Sequence, residues 1–284
     1  MNANRSWGDL EFIAKSIREL YRAFGPSRLK SFAAIFDAGD SAEEIRGNPC
    51  IGTQQLAKRI AEHYRLPATT VIVTYSTSLR PPGRVELSQA NEFFVELRNE
   101  FREDPKSVTA ILAHEIAHIF LHRCGVRFPD EFENEVLTDT TAVYLGFGPV
   151  IMNAATETRH FGYLTLEGFG YIQAKRDLAF GHNSTPIMAS GRPLAAFNYG
   201  RRQVNFERTR TPYAPPAPPA APQLMDRLLN KLLRRPPPQQ PRKPTGTSLT
   251  FECICCSQKL RIPILGKQIA VRCSNCDARL ICYT

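Results

Sequence analysis

Two histidines and a glutamate are the first residues in this sequence whose types and spacing could do chemistry. His114, Glu115 and His118 follow the pattern H-E-x-x-H. Residues four apart lie above one another on a helix, so both imidazoles can reach one metal ion. Glu115 is rotated by about 100° from His114, where the general base for an activated water belongs. The motif predicts a zinc site with two histidine ligands and a catalytic glutamate; the alternative is a pair of core histidines with ordinary hydrogen bonds.

A third protein ligand is needed if the fourth position of the zinc is to stay open for water. Glu135 and Asp139 lie four residues apart on a second predicted helix that begins near Phe132. One carboxylate can therefore bind metal while the other accepts a hydrogen bond from a ligand imidazole. His122 is excluded as a ligand, because it lies about 12 Å from His114 along the helix axis. The candidates are the acidic residues Glu131, Glu133, Glu135 and Asp139, and the alternative is a solvated acidic helix face.

Two pairs of cysteines near the end of the chain form a second possible metal site. Each pair has the spacing C-x-x-C, and sixteen residues separate the pairs, which is typical of a four-cysteine zinc ribbon. Four thiolates close a tetrahedral site, so this second zinc is predicted to be structural. Residues 259–262 and 268–272 are predicted to form a ribbon hairpin between the two knuckles. The predicted ligands are Cys253, Cys256, Cys273 and Cys276; the alternative is reduced thiols in a disordered tail.

The H-E-x-x-H motif is expected on one buried helix over residues 108–125. Asp104 is an N-cap candidate, Pro105 suits the first helical position, and Gly125 suits the C-terminal cap. Apolar residues recur at helical spacing along one face, namely Val108, Ile111, Leu112, Ile116, Ile119 and Phe120.

A small sheet is expected before this helix. Residues 70–75, 84–87 and 93–97 have strand-like composition, so the sheet is predicted to pack on the motif helix. An exposed edge strand there could hold an extended peptide by main-chain hydrogen bonds. Four more helices are predicted over residues 10–24, 28–36, 53–64 and 166–175. Candidates for polarising a substrate carbonyl are His160, Tyr163, Tyr171 and His182, with a structural role as the alternative for each.

Charge is unevenly placed along the 284 residues. Residues 201–284 carry 15 Lys+Arg against 4 Asp+Glu, whereas residues 1–200 carry 21 against 23. The C-terminal third is therefore predicted to meet an anionic partner such as nucleic acid or a membrane surface; the alternative is a solvated tail. Proline-rich stretches at 211–222 and 236–244 predict an extended linker, with a short basic amphipathic helix at 224–235 between them.

Composition narrows the class of protein further. No apolar run approaches 18 residues, so no transmembrane helix is expected. The first residues lack the layout of a signal peptide, and the cysteines suit metal binding in a reducing compartment, so a cytoplasmic location is predicted. The predicted organisation is a zincin-like domain over residues 1–205, a basic linker over 206–248 and a zinc ribbon over 249–284.

The motif and the acidic segment together resemble a known family. His114-Glu115-x-x-His118 followed by Asn134-Glu135-Val136-Leu137-Thr138-Asp139 is similar to the gluzincin metallopeptidase pattern, whose thermolysin members carry an N-E-x-x-S-D box. The compact form, with one small sheet before the motif helix, resembles minigluzincins and ImmA/IrrE-type regulatory peptidases. The resemblance covers roughly residues 70–150 and implies that Glu135 is the third zinc ligand and Asp139 its orienting acid. Thr138 replaces the serine of the box, and sixteen residues separate His118 from Glu135.

These observations predict an α+β protein with a zincin-like domain and a small β zinc ribbon. The predicted function is a zinc-dependent endopeptidase that cuts a cytosolic protein, holds one catalytic and one structural Zn²⁺, and recruits its substrate or a partner through the ribbon. The alternative is a non-enzymatic adaptor or regulator that binds protein or nucleic acid through the ribbon. An intact Glu115 disfavours the adaptor, because a purely structural metal site has no need of a base.

Overall fold

The computed structural model describes residues 3–66, 69–87, 91–159, 161–210, 248–252, 258–263, 268–274 and 279–283. The first helices are α1 (Ala3–Ser31), α2 (Ser41–Gly47) and α3 (Pro49–His63), and the strands β1 (Thr70–Ser76), β2 (Gly83–Glu86) and β3 (Glu92–Arg98) follow. The next helices are α4 (Pro105–Cys124), α5 (Glu131–Ala142), α6 (Gly148–Ala154), α7 (Leu166–Phe180) and α8 (Arg192–Arg210). The last strands are β4 (Ser248–Glu252), β5 (Lys259–Pro263), β6 (Gln268–Arg272) and β7 (Arg279–Tyr283). This mixture of many helices with a small sheet confirms the predicted α+β class.

The motif helix α4 runs through the centre of the fold. Its ends are set by the residues that the sequence indicated: Asp104 accepts a hydrogen bond from the backbone N–H of Ser107, and Pro105 is the first helical residue. Gly125 ends the helix in the left-handed conformation with φ 66°, which costs glycine little. The helix is buried on nearly every side, by the sheet, by α3, by α5 and by α6.

The three predicted strands before α4 are confirmed and form one sheet with the order β1-β3-β2. The central strand β3 runs parallel to β1 and antiparallel to β2. Alternate residues of β3 are buried on the face towards α4, as a period of two requires: Phe93, Val95 and Leu97. The sheet therefore covers one side of the motif helix.

The two edges of this sheet differ. Gln54 of α3 lies along the edge of β1, where its side-chain amide donates to the carbonyl of Val71 and accepts from the N–H of Val73 at 3.0 Å. The amide thus replaces a neighbouring strand and closes that edge. At the other edge, Arg98 N–H donates to the Pro82 carbonyl at 2.9 Å. The main-chain hydrogen-bonding groups of the alternate residues 82, 84 and 86 therefore point towards β3. The main-chain groups of Gly83 and Val85 face away from the sheet.

Two features of the helical body correct the sequence prediction. The predicted helices over 10–24 and 28–36 are present as two helical segments of α1, separated by a non-helical residue at Gly25 (φ 71°) before Pro26, but the second segment ends at Ser31 and not at 36. The helix does not continue beyond Ser31 because the main-chain groups of the next residues form hydrogen bonds elsewhere. Arg176 donates to the carbonyls of residues 32, 33 and 34, and Phe36 N–H donates to the carbonyl of Gly146.

Helix α8 was not predicted, and it crosses the domain boundary predicted at 205 to end at Arg210. It packs on α7, which extends the helix predicted over 166–175 to Phe180. The two backbones touch at Gly170 and Gly200: a Cβ atom on Gly200 would lie 2.2 Å from the Gly170 carbonyl oxygen. Any side chain at either glycine would separate the helices.

The C-terminal strands form two hairpins, β4 with β5 and β6 with β7. The predicted strands over 259–262 and 268–272 are present, but the prediction that they pair with each other is wrong: each pairs with the strand across its own C-x-x-C segment. Cys253, Cys256 and Cys276 lie outside the described residues, as do residues 211–247 of the linker predicted over 206–248, with its predicted helix at 224–235; Cys273 is buried. Strand β7 lies beside α4. None of the helices in the described ranges combines the length and the apolar character needed to cross a bilayer.

Candidate metal centre

Helices α4 and α5 bring three ligand-type side chains together. The Nε2 atoms of His114 and His118 are 3.1 Å apart. Oε2 of Glu135, which projects from α5, lies 3.2 Å from the first nitrogen and 3.1 Å from the second. One turn of α4 separates the histidines, and Glu135 reaches them from the facing helix, which is why residues distant in sequence converge here.

The triangle of these atoms suits a tetrahedral cation. Bonds of about 2.0–2.1 Å to zinc place neighbouring ligand atoms about 3.3 Å apart, close to the three distances observed. Oε2 of Glu135 is buried and has no hydrogen-bond partner within the described part of the chain. A proton on one imidazole could bridge one pair of these atoms but not all three, because an N–H bond points in one direction. A cation in the centre satisfies all of them.

Both imidazoles are held at their other nitrogen. Nδ1 of His114 lies 2.8 Å from Oδ1 of Asp139, and Nδ1 of His118 lies 3.2 Å from Oγ1 of Thr138. Thr138 donates its own hydrogen to the carbonyl of Asn134 at 2.9 Å, so its oxygen is left to accept from the histidine. Each Nδ1 therefore carries the hydrogen, and each Nε2 directs a lone pair into the site.

The close approach of these side chains shifts the pKa values of His114 and Glu135. Burial alone would lower the pKa of His114, but its contacts with the carboxylates of Asp139 and Glu135 outweigh burial and raise that pKa well above the usual value. Burial would raise the pKa of Glu135, but the contacts of its carboxylate with His114 and His118 lower it to about 2. The carboxylate is thus charged across the physiological range, and the site attracts a cation.

Glu115 stands beside the three ligand atoms without joining them. It is 7 % exposed, and burial raises the pKa of its carboxyl group, although His114 and His118 partly oppose this effect. The backbone N–H of Val85, at the open edge of β2, hydrogen-bonds to the carboxylate. A buried carboxylate with a raised pKa beside a water-accessible metal position is suited to accept a proton.

A cleft of about 470 Å³ opens above the site. Its floor is formed by His114, Glu115, His118 and Glu135, one wall by β2 and the preceding prolines, and the opposite wall by residues 161–163. Tyr163 lies over the His114 ring, with centroids 6.2 Å apart and 22° between the planes, and its side chain is largely exposed. Gly83 lets β2 approach the floor, since a Cβ there would lie 2.4 Å from Ile111 and 2.9 Å from Glu115.

The other acidic candidates point elsewhere. Glu133 forms an ion pair with Lys15 at 2.7 Å, and Glu131 is exposed at the start of α5. Asp139 contacts Nδ1 of His114 rather than the converging atoms. His122 packs edge-on against Phe93, as expected of a residue that cannot share the metal.

Among the candidates for polarising a carbonyl, Tyr163 alone of the described ones lines the cleft. Tyr171 donates to Glu207 at 2.7 Å in the α7–α8 contact, His182 packs near Phe180, and His160 lies outside the described residues. The contact of Thr138 with His118 was not predicted from the sequence. Its position, three residues after Glu135 on the same helix face, was the available signal.

Comparison with known proteins adds no family to this geometry. A scan against protein-family models, a search of curated proteins and a search of solved structures each gave no match.

Proposed function

We propose that the chain is a zinc-dependent endopeptidase of the gluzincin type, with a zincin-like arrangement of sheet and motif helix. The observation that carries the proposal is the convergence of His114, His118 and Glu135 beside Glu115, at the floor of an open cleft. The departures from the gluzincin pattern, a short connection and a threonine in the acidic box, are compatible with it, because Glu135 still reaches both histidines and Thr138 holds His118.

Each residue then has a defined role. His114, His118 and Glu135 would hold the metal, while Asp139 and Thr138 keep the imidazoles in the ligating orientation. Zinc, when bound, lowers the pKa of water towards about 7 and polarises a carbonyl. Glu115 accepts the proton of the attacking water and delivers it to the amine nitrogen as the C–N bond breaks. Its raised pKa makes the carboxylate a stronger base for accepting the proton of the water.

The substrate that fits is an extended peptide. The Val85 N–H is taken by Glu115, but the carbonyl of Val85 and the main-chain groups of Gly83 are directed away from β3 on the cleft side, so a peptide can add to β2 as a further strand. The opposite sheet edge is closed by Gln54 and cannot do the same. The edge next to Glu115 is therefore the one that is available for main-chain recognition.

The C-terminal part is proposed to recruit a partner. Arg201, Arg202 and Arg208 are exposed on the last turns of α8, whereas Glu207 faces α7, where it binds Tyr171 and Lys175. The exposed side of this helix end is thus basic and leads into the positively charged C-terminal third of the chain. We propose an anionic partner for this side and a structural zinc held by Cys253, Cys256, Cys273 and Cys276.

The test compares wild type with Glu115→Gln in a cell extract, with new peptide N-termini read by mass spectrometry. Loss of the general base should lower cleavage by about 10²–10⁴-fold. Glu115 is not a ligand in this scheme, so both proteins should carry two zinc ions by elemental analysis. Glu103→Gln, an exposed acid before α4, is the matched control and should cleave like wild type.

Two results decide between enzyme and adaptor, and a third tests the number of zinc ions. Termini produced by wild type and Glu103→Gln, but not by Glu115→Gln, support the peptidase. Equal termini from all three zinc-loaded proteins would overturn it and favour the adaptor. A full-length Cys273→Ser, Cys276→Ser variant should hold one zinc, and a wild type with a single zinc would contradict the two-site proposal.

A further inference from the structure

Asp139 makes more contacts than orientation of a ligand requires. Its side chain is 1 % exposed, and Oδ1 accepts from Nδ1 of His114 at 2.8 Å. The other oxygen, Oδ2, accepts from two backbone N–H groups, those of Tyr163 at 2.7 Å and Leu164 at 3.1 Å. One buried carboxylate therefore joins a candidate metal ligand to the loop that forms a wall of the cleft.

The loop is built to approach this carboxylate closely. Gly162 has φ +89°, a backbone conformation that residues other than glycine rarely adopt. A Cβ at this position would lie 2.4 Å from Oδ1 and 2.7 Å from Oδ2 of Asp139, well inside contact distance. Gly162 thus supplies both the turn and the space that let two successive N–H groups reach one oxygen.

The same loop shapes the cleft. Phe161, Gly162 and Tyr163 line it opposite β2, and the Tyr163 ring lies over the ring of His114. The position of this wall determines the width of the cleft above Glu115. Among the described residues, its backbone is held by the two hydrogen bonds to Asp139 and by the helix that follows it.

We propose that Asp139 is a positioning residue that couples metal binding at His114 to the placement of the Tyr163 wall. This inference rests on the proposed function of the site. A metal on Nε2 holds the imidazole in one orientation, with its Nδ1–H directed at Oδ1. The carboxylate then cannot rotate, and Oδ2 keeps its two backbone donors. Without the metal, His114 can turn, the carboxylate loses its anchor, and the wall loosens.

The coupling predicts that a residue which touches no ligand should still control metal affinity. Gly162→Ala should weaken zinc binding at the three-residue site by about 10–100-fold, the usual effect of disturbing a group that holds a ligand. Gly181→Ala is the matched control: Gly181 also has a positive φ of +75°, but nothing lies within 4 Å of a Cβ there. Affinity is measured by competition with a graded chelator on the full chain.

A second measurement needs no variant. Amide hydrogen exchange of Tyr163 and Leu164 in wild type should accelerate at least about tenfold when zinc is removed, because these amides open locally once the carboxylate is released. Amides in the middle of α7, which have no contact with Asp139, should exchange at an unchanged rate. Equal affinity of Gly162→Ala and Gly181→Ala, or exchange at Tyr163 and Leu164 that ignores zinc, would overturn the coupling.

The results separate this inference from the peptidase proposal. If zinc controls exchange at Tyr163 in both wild type and Glu115→Gln, and neither protein cleaves peptides, the coupling stands and the peptidase falls. If wild type cleaves and binds zinc, and the loop exchange is indifferent to zinc, the coupling alone falls. A wild type without zinc at His114 overturns both.

Discussion

Two buried aspartates on neighbouring helices have closely similar surroundings but belong to different kinds of site. Asp177 on α7 accepts from Gln173 and from the hydroxyl and N–H of Ser184, at 2.7–2.8 Å. Asp139 on α5 accepts from a side chain and from two backbone N–H groups. We call these sets of residues the Asp177 cluster, which includes the adjacent Arg176, and the Asp139 cluster, which includes His114 and Glu135.

The presence of an unpaired atom does not distinguish the clusters. Within the described residues, Gln173 Oε1 and Arg176 Nη1 lack a partner in the first, and Glu135 Oε2 lacks one in the second. The difference lies in what surrounds each atom. Gln173 Oε1 faces the backbone of Gly148, whereas Glu135 Oε2 faces two imidazole nitrogens and an open cleft. Convergence of several acceptors, rather than one orphaned atom, indicates a ligand site.

The largest effect is expected in the Asp177 cluster. Arg176 is fully buried and donates to four carbonyl groups, those of residues 32, 33, 34 and 144. Arg176→Met would remove one buried donor from each of these carbonyls, so the free energy of unfolding should fall by about 3–5 kcal/mol. Denaturant titration measures the change.

The control for this prediction is Arg202→Met on the exposed side of α8, which should change stability by less than about 0.5 kcal/mol. Zinc content of the folded fraction should stay at the wild-type level, because Arg176 touches none of the three candidate ligands. An Arg176→Met protein as stable as wild type would show that the carbonyls find other donors, and the structural assignment of this cluster would fail.

A smaller effect, of a different kind, is expected in the Asp139 cluster. Zinc at 100 times its dissociation constant should raise the free energy of unfolding by about 2.7 kcal/mol, since only the folded chain assembles the site. Glu135→Ala should abolish this gain. Glu133→Ala is the matched control on the same helix, because its ion pair with Lys15 is partly exposed and should contribute less than about 1 kcal/mol.

Melting of both variants with added zinc and with chelator measures the gain, and the cysteine site contributes equally to each protein. A gain that survives in Glu135→Ala, or disappears in Glu133→Ala, would remove Glu135 from the ligand set.

The sequence predicted what local chemistry determines. Asp104, Pro105 and Gly125 mark the ends of α4, and strand composition marked the three strands, because caps and alternation act over a few residues. The end of α1 was mispredicted, since it depends on Arg176, which lies more than 140 residues away. The pairing of the C-terminal strands was mispredicted because composition does not specify partners.

The same limit applies to the site. The spacing of His114 and His118 placed them on one helix face, and the spacing of Glu135 and Asp139 left either as the ligand. Only the packing of α5 on α4 directs Glu135 to the Nε2 atoms and Asp139 to Nδ1. The contact of Asp139 with residues 163 and 164 arises from a loop with no pattern that sequence analysis could interpret.

The smallest effect is expected for His63, a third group that can be compared with the two clusters. His63 is half-buried between Phe36 and Phe147, and its Nε2 lies 2.6 Å from the carbonyl oxygen of Leu145, so the neutral ring donates from that nitrogen. A histidine that binds metal needs a lone pair on the nitrogen that faces the metal, which is Nε2 in His114 and His118. In the neutral ring of His63, Nε2 carries the hydrogen instead. Burial lowers the pKa of His63, and the charges of Arg176 and Arg65 lower it further.

Between the lowered folded pKa of His63 and its unfolded value of about 6.5, the unfolded chain binds a proton that the folded chain refuses. Its contribution to stability is therefore present above about pH 6.5 and is lost as the pH falls, with a slope of at most about 1.4 kcal/mol per pH unit. His63→Phe should flatten that part of the slope between pH 7.5 and 5.5, measured by denaturant titration of zinc-free protein. His114 titrates in both proteins, so the difference between the curves isolates His63. Parallel curves would mean that His63 has the same pKa in the folded and the unfolded chain, and its assignment as a buried neutral histidine would be wrong.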